Sequence, residues 1–581
     1  MNPFVILSAI ILALFGSACS ISPKAPATQS FLSGDYSPVI DYLKAYLPVQ
    51  VNKHKFTGLS VALVDDQKIV WSEGFGFADK AGDRRATRST AYRAGSVSKL
   101  FTAMAIMKLH EEQKVDLDAS IKASVPEFDL KTRFGSIDGI TLRNILSHHA
   151  GIPGNLLDGM WTTEPDSFKT VSSKLNRYYA AYPPNTVFAY SNAGYSVAGH
   201  AVENSSGIPF THYISDSLLQ PLDMTQSNFE FDGSGKNVAK SYWQGQEVRE
   251  LDLRDIPAGG LVTTVSDLSQ LVKLVNANGF YKSHLLTPES MQEMLSIQTY
   301  DSIYEPDGYN GIGWLHYSGL LDNKYTVVGH DGQTMAHSAS VVIVPELKLG
   351  VVLLANSPNL AGGFSEINDE ILRLTHAVKT GKSLSAIPAN EEKPIYGTEA
   401  GLNGQYVSSR SGGYINISPK SNDYTVNLGG EKLQLSANQE GGHSLNSTTG
   451  LGDISFHARE VSGEKIIVSQ ESGRTTVAAT PLITQARMPV WDARVGEYTI
   501  QNPIDTDIGF FKLDSAALAY ENGHYQFRVK NPFGIQSLPI AVVNETEAIL
   551  QGYGRGLGET IIVEPDGTVL HAGFIFKKSA G

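Results

Sequence analysis

AYRAGSVSKLFTAMAIMKLH, residues 91–110, carries Leu100, Phe101, Met104, Ala105 and Leu109 at the spacing that one buried helix face requires. At its head, Ser96-Val-Ser-Lys99 sets a hydroxyl and an amine three residues apart, and such positions are neighbours on a helix surface. Gly95 and Ser96 stand where a strand or turn feeds the helix. That places Ser96 at the N-terminus, where free N–H groups and the helix dipole favour a developing anion. An amine beside a hydroxyl lowers its pKa, or takes its proton when the amine is held neutral. Alone, the tetrad reads more often as an ordinary serine cap. The rest of the chain has to separate the two.

At 581 residues the chain has room for more than one domain, and 41% hydrophobic with 18% charged residues suits a globular protein. A net charge of −13, with no basic run, argues against nucleic acid as a partner. Met1 to Ala18 is apolar, ends in small residues, and reads as an export signal too short to span a membrane. Cys19 is the chain's one cysteine, so no internal disulfide exists. Leu14-Phe-Gly-Ser-Ala-Cys19 resembles a bacterial lipobox, with Gly16 where Leu is commoner. The resemblance implies lipidation of Cys19 and a periplasmic, membrane-anchored protein; plain secretion and an uncleaved anchor are the alternatives.

The remainder divides, in expectation, into a tether over 20–35, a catalytic domain over 36–380, a linker over 381–396, and β-rich domains over 397–488 and 489–581. In the catalytic domain, Asp35 to Leu47 reads as a helix stopped by Pro48. Leu59–Val64 and Ile69–Trp71 read as a hairpin. Helices follow at 140–147 with Thr141 as cap, at 193–206, at 209–219, and at 265–277 with Ser266 as cap. Tyr325 to Ala355 turns to strands around a loop His330-Asp331-Gly332, and a helix over 364–376 covers them. A hairpin first and strands last suggest an α+β fold, one antiparallel sheet built from both ends with helices packed on it. After the linker, Leu402-Asn-Gly-Gln-Tyr-Val407 and Arg494-Val-Gly-Glu-Tyr-Thr499 open two stretches of short strands. They read as two small barrels or sandwiches, or as one larger β-domain. The glycine-rich run Gly552–Gly558 lacks the strand-to-helix setting of a nucleotide site and reads as a β-turn region.

Tyr190-Ser-Asn192 precedes a helix, and alternate residues of an extended segment share one side. A tyrosine near a lysine serves as a general base, and Asn192 can hold a lysine or a substrate carbonyl. His330 alone is more often structural. Gly332 lets a ligand approach the backbone, and the Gln333 N–H can face a bound carbonyl. His148-His149 lacks any metal-ligand spacing, so a hydrogen-bonding role in the loop is expected and no metal is invoked.

Taken in order, Ser96-x-x-Lys99, Tyr190-x-Asn192 and His330-x-Gly332 resemble the serine β-lactamase and penicillin-binding family, in its class C, D-aminopeptidase and esterase branch. ITLRNILSHHAGIPG, FAYSNAGYSVAG and GHDGQTMAHSASVVIVPELKLGVVLLAN agree with it. The resemblance covers about residues 36–378. It implies a β-lactamase/transpeptidase-like fold and an acyl-enzyme route without a cofactor. Ser96 would attack a carbonyl while Lys99 and Tyr190 share its proton. The N–H groups of Ser96 and Gln333 would form the oxyanion hole, with Asn192, His330 and Gly332 at the substrate. Where many relatives carry Lys-Thr-Gly, this chain has His-Asp-Gly, a form common among esterases and aminopeptidases of the family. Asp331 there is expected to repel a carboxylate and attract an amine. The expected activity is hydrolysis of a small ester, amide or peptide. A β-lactamase or D,D-peptidase is the second enzyme reading, and a non-catalytic penicillin-binding sensor is the reading from another class.

Overall fold

The structure, a computed structural model, describes residues 23–25 and 32–579 apart from 230–236, 299–303, 305–309, 387–397, 438–442, 446–453 and several stretches of one to three residues. The expected export signal, Cys19 and much of the tether and linker lie outside the described residues. Among the described residues no helix is long and apolar enough to cross a membrane.

Contacts gather the chain into two units that do not follow its linear order. The first holds Met1–Leu117, Ala198–Gln298 and Tyr309–Glu391. The second holds Asp118–Val197, Thr299–Gly308 and Glu392–Gly581.

In the first unit, helix α1 (Ser37–Lys53) leads into strands β1 (Gly58–Asp65) and β2 (Lys68–Asp79). Helix α2 (Ser98–Glu111) and helix α3 (Val265–Asn276) follow. Strands β3 (Val328–Gln333), β4 (Ser338–Val344) and β5 (Leu349–Ala355) precede helix α4 (Gly363–Thr380). The sheet is antiparallel and runs β3-β4-β5-β1-β2, with a two-residue strand at each edge. β1 pairs with β5 from Leu59↔Ala355 to Asp65↔Leu349, so both ends of the domain meet in the middle of the sheet. Leu59, Val61, Leu63, Val351 and Leu353 point to one face, where Val39, Leu43 and Leu47 of α1 pack with Ile367 and Ile371 of α4. Gly350 belongs to the other face, and a Cβ on it would meet Val272 of α3 at 2.4 Å. Covered on both sides, β4 and β5 are buried throughout, which explains their unbroken apolar runs.

Three local expectations are corrected. Helix α1 does not stop at Pro48 but runs through it to Lys53. An internal proline costs about 3 kcal/mol; burial of Val51 beyond it offsets about 2 kcal/mol of that. The cap of α3 is Thr264, whose hydroxyl accepts the Asp267 N–H at 3.1 Å, while Ser266 donates to the Arg88 carbonyl instead. His330-Asp331-Gly332 is not a loop: it lies inside β3, paired with Val341, Ser340 and Ala339.

In the second unit, nine strands between Thr398 and Pro481 form one sheet, and a further pairing of Ser455–Val461 with Glu464–Glu471 closes eight of them into a ring. A closed eight-stranded barrel follows from Gly496 to Lys578. The two G-x-Y openings do the same work in each. Tyr406 Oη donates to the Leu402 carbonyl at 3.1 Å, and Tyr498 Oη to the Arg494 carbonyl at 2.8 Å. Residues 118–197 join this unit because the barrel holds them. Arg133 and Tyr179 both reach Glu547, at 2.9 and 2.6 Å, and Leu157 N–H donates to the Ala572 carbonyl at 2.8 Å.

Candidate active site

In the first unit, Gly95–Val97 makes a single 3-10 turn ahead of α2. Ser98 locks it: its Oγ donates to the Gly95 carbonyl at 2.6 Å and accepts the Leu261 N–H at 2.9 Å. Ser96 sits half-buried in the turn, while Lys99, one turn on, is fully buried. Lys99 Nζ donates to Ser96 Oγ at 3.1 Å and to the Ala258 carbonyl at 2.7 Å. The amine is thereby aimed at the hydroxyl by a fixed main-chain oxygen.

The turn lies against β3. A Cβ on Gly332 would stand 1.9 Å from the Ala94 carbonyl oxygen and 3.0 Å from the Ser96 nitrogen, and one on Gly95 would stand 2.7 Å from the Gln333 nitrogen. Only glycines allow this approach, which brings the nitrogens of Ser96 and Gln333 into one narrow seam. His330 is buried, its Nδ1 2.5 Å from the Asp331 carbonyl. Burial and the Lys99 charge push its pKa down to about 3, so the ring is neutral near pH 7. The expectation for Asp331 is corrected. Strand alternation turns its side chain from the face of His330 and Gly332 towards Ser340 and Tyr317, where burial pushes the carboxyl up.

Glu250 gave no sequence signal. It is buried behind the turn after Gln333, accepts the Met335 N–H at 2.7 Å and stands 3.8 Å from Arg93. Burial opposes its charge, but Arg93 and His337 hold its pKa below the ordinary value.

Tyr190 and Asn192 belong to the second unit. Ser191 caps the helix Asn192–Ser206, its Oγ accepting the Gly194 N–H at 2.8 Å and donating to the Pro153 carbonyl at 2.7 Å. Asn192 N–H donates to the Gly154 carbonyl at 2.8 Å and its Nδ2 to Asn155 at 2.8 Å. Under Tyr190 lies His148, ring centroids 4.1 Å apart, with its Nδ1 accepting the Ser191 N–H at 3.1 Å. His148 thus supports the loop through a hydrogen bond and a ring face.

Two further supports come from the barrel loop Gly552–Gly558 and the strand after it. The Arg555 guanidinium lies 4.7 Å from the Tyr190 ring centroid, and Glu559 Oε1 accepts the Gly154 N–H at 2.8 Å. Burial pushes the Glu559 carboxyl up to about 7. The sequence trace of this support is faint: one arginine and one tyrosine among alternating glycines.

The β-lactamase family model matches residues 43–375, and the chain belongs to that family. It is 28% identical over 324 residues to Protein flp of Staphylococcus aureus (strain MRSA252), covering 53% of this chain and 60% of that one. It is 26% identical over 369 residues to Unguisins hydrolase ungD of Aspergillus violaceofuscus (strain CBS 115571), covering 58% and 63%. The chain thus spans about three fifths of the length of these curated relatives. Among solved structures, the octameric penicillin-binding protein homologue from Pyrococcus abyssi is similar at a TM-score of 0.50 and 22% identity, over 74% of this chain and 97% of that one. SurE with D-Leu is similar at 0.52 and 22%, over 75% and 99%. The fold is therefore β-lactamase/transpeptidase-like, followed by a C-terminal closed eight-stranded barrel.

Proposed function

We propose that the protein is a serine hydrolase acting through an acyl-enzyme on small esters, amides or peptides, as esterases and D-aminopeptidases do. The observation that carries this reading is the fully buried Lys99, held on Ser96 Oγ and the Ala258 carbonyl. In the proposed route Ser96 Oγ bonds to the substrate carbonyl carbon, and its proton passes to Lys99 and Tyr190. The leaving alcohol or amine departs with that proton, and water then cleaves the acyl ester. The N–H groups of Ser96 and Gln333 receive the oxyanion. The names of two similar proteins, a hydrolase and a SurE bound to D-Leu, support hydrolysis and a D-amino-acid-related substrate. We further propose export, with lipidation of Cys19 anchoring the protein to a membrane.

The test treats the protein and Ser96→Ala with a fluorophosphonate probe and a fluorescent penicillin, follows intact mass, and assays p-nitrophenyl acetate and D-alanine p-nitroanilide. Labelling and turnover that depend on Ser96 are expected, with no lasting penicillin adduct. A stable adduct would move the reading to a penicillin-binding enzyme. No Ser96 label and no turnover would end the hydrolase reading.

A further inference from the structure

Glu250 lies between strands Gln246–Glu247 and Asp252–Leu253 of the first unit, and its carboxylate is buried where two segments of the site converge. One segment is the hairpin tip Met335-Ala336 between β3 and β4. Thr334 N–H donates to the His337 carbonyl at 3.0 Å and closes the turn, which leaves the two buried tip N–H groups outside the ladder. Glu250 Oε1 takes both, at 2.7 Å from Met335 and 3.4 Å from Ala336. The other segment is Tyr92–Arg93, just ahead of Ser96. The Arg93 guanidinium stands 3.8 Å from the same Oε1 and donates to the Leu251 carbonyl at 2.6 Å.

The remaining hydrogen bonds fix where each proton sits. Arg93 main-chain N–H donates to His337 Nδ1 at 3.3 Å, so that nitrogen is bare. Burial pushes the His337 pKa down to about 4, which leaves the ring one proton, on Nε2, near pH 7. Nε2 therefore donates to Ser241 Oγ at 3.0 Å, and Ser241 Oγ donates to Glu250 Oε2 at 3.2 Å. A serine, a histidine and a glutamate thus sit together without making a second nucleophile, since the imidazole already holds the proton it would have to take. The cluster is a clamp instead. It closes on the chain at both sides of the seam: Arg93 leads through Ala94 and Gly95 to the Ser96 nitrogen, and the hairpin tip follows closely on the Gln333 nitrogen. Donors for an oxyanion act only when held at the separation that the transition state needs.

We infer that Glu250 is a positioning residue: by gripping Arg93 and the Met335-Ala336 tip together, it fixes the spacing of the Ser96 and Gln333 N–H groups that receive the oxyanion. This rests on the hydrolase reading of Ser96.

The test measures kcat and KM for phenyl acetate and phenyl thionoacetate in the full-length protein and in Glu250→Ala, with hydrogen exchange of peptides covering 93–97 and 333–337. Sulfur accepts hydrogen bonds poorly, so the preference for the oxygen ester reports the oxyanion donors alone. Glu250→Ala should lower kcat on phenyl acetate by about 10- to 100-fold, with KM held within about threefold. The oxygen preference should shrink towards that of hydroxide, and exchange should quicken in both peptides together. Glu250→Gln keeps an oxygen for the Met335 N–H and should recover most of the loss. Arg93→Met with Glu250→Met removes the grip without stranding a buried charge; it should reproduce the Glu250→Ala result, and replaces that variant should the latter misfold. Wild-type kcat in the variant overturns the inference. So does a fall shared equally by both esters, which would make Glu250 a support of the fold alone, or faster exchange in 333–337 without 93–97. Exchange quickened in both peptides, in a protein whose wild type turns over neither ester, would sink the hydrolase reading and leave the clamp standing.

Discussion

The Ser96–Lys99 turn and the Tyr190 loop hold their side chains by opposite means. Ser96 and Lys99 are one helical turn apart, and the contacts that aim them come from their own unit: Ser98, Ala258 and Leu261. Tyr190 rests on its neighbour His148 but also on Arg555 and Glu559 chemistry contributed from the far end of the chain. The first arrangement is nearly complete within a local motif. The second depends on a barrel that the motif does not contain. Chemistry carried by adjacent residues is therefore transferable with the sequence, whereas its tuning is not.

The largest expected effect lies in the local arrangement. Lys99→Met keeps the apolar stem and removes the amine that Ser96 Oγ and the Ala258 carbonyl share. Ester turnover should fall by about a thousandfold, the range set by loss of a positioned base. A variant that retains a tenth of wild-type turnover would show that the tyrosine loop carries the proton transfer without Lys99. Next comes Gly332→Ala. Its methyl would press on the Ala94 carbonyl at 1.9 Å and force the seam between turn and strand apart. Turnover should drop about a hundredfold, as loss of an oxyanion donor does, with about 1–3 kcal/mol of stability lost in denaturant titration.

The barrel-dependent arrangement is best sharpened by pH. Glu559 keeps its proton up to about pH 7, whereas an ordinary glutamate loses it near 4.5. The folded state therefore binds the extra proton, so Glu559's contribution is full below pH 4.5 and is lost as pH rises through 7. Relative to Glu559→Gln, wild type should lose about 3 kcal/mol between pH 4.5 and 8, read from unfolding midpoints. A pH-independent difference would place Glu559 in water. His330 has the opposite sign. Its pKa is pushed down to about 3, so its contribution is present above pH 6.5 and is lost as pH falls towards 3. The same scan on His330→Gln should show the wild type losing ground on the acid side only.

This contrast also separates what could be read in the residues from what could not. The hairpin of β1 and β2, the helix of Lys99, and the sheet closed by β5 on β1 follow from periodicities of two and 3.6, which depend on near neighbours. The Ser96–Lys99 pair is equally visible because a serine and a lysine three residues apart on a helix can meet. The misreadings share a different cause. Pro48 stays in a helix because Val51 beyond it is buried against distant elements, and His330 lies in a strand because β4 pairs with it. Arg555 and Glu559 left only glycines as a trace, since a contact between residues 190 and 555 imposes no spacing on either. Asp331 was misread for want of the strand register that fixes its side.

The smallest effect tests whether the Tyr190 loop also keeps a local component. Ser191 caps the helix that begins at Asn192, accepting the Gly194 N–H and donating to the Pro153 carbonyl from a buried position. Ser191→Ala should cost about 1–2 kcal/mol in denaturant titration, less than the swing assigned to Glu559. It leaves the His148 ring contact and the Arg555 contact in place, so ester turnover should fall only a few-fold. A loss of turnover as large as that of Lys99→Met would mean that the cap, not the barrel loop, sets the position of Tyr190. The two arrangements would then be alike, each governed by a single helix start.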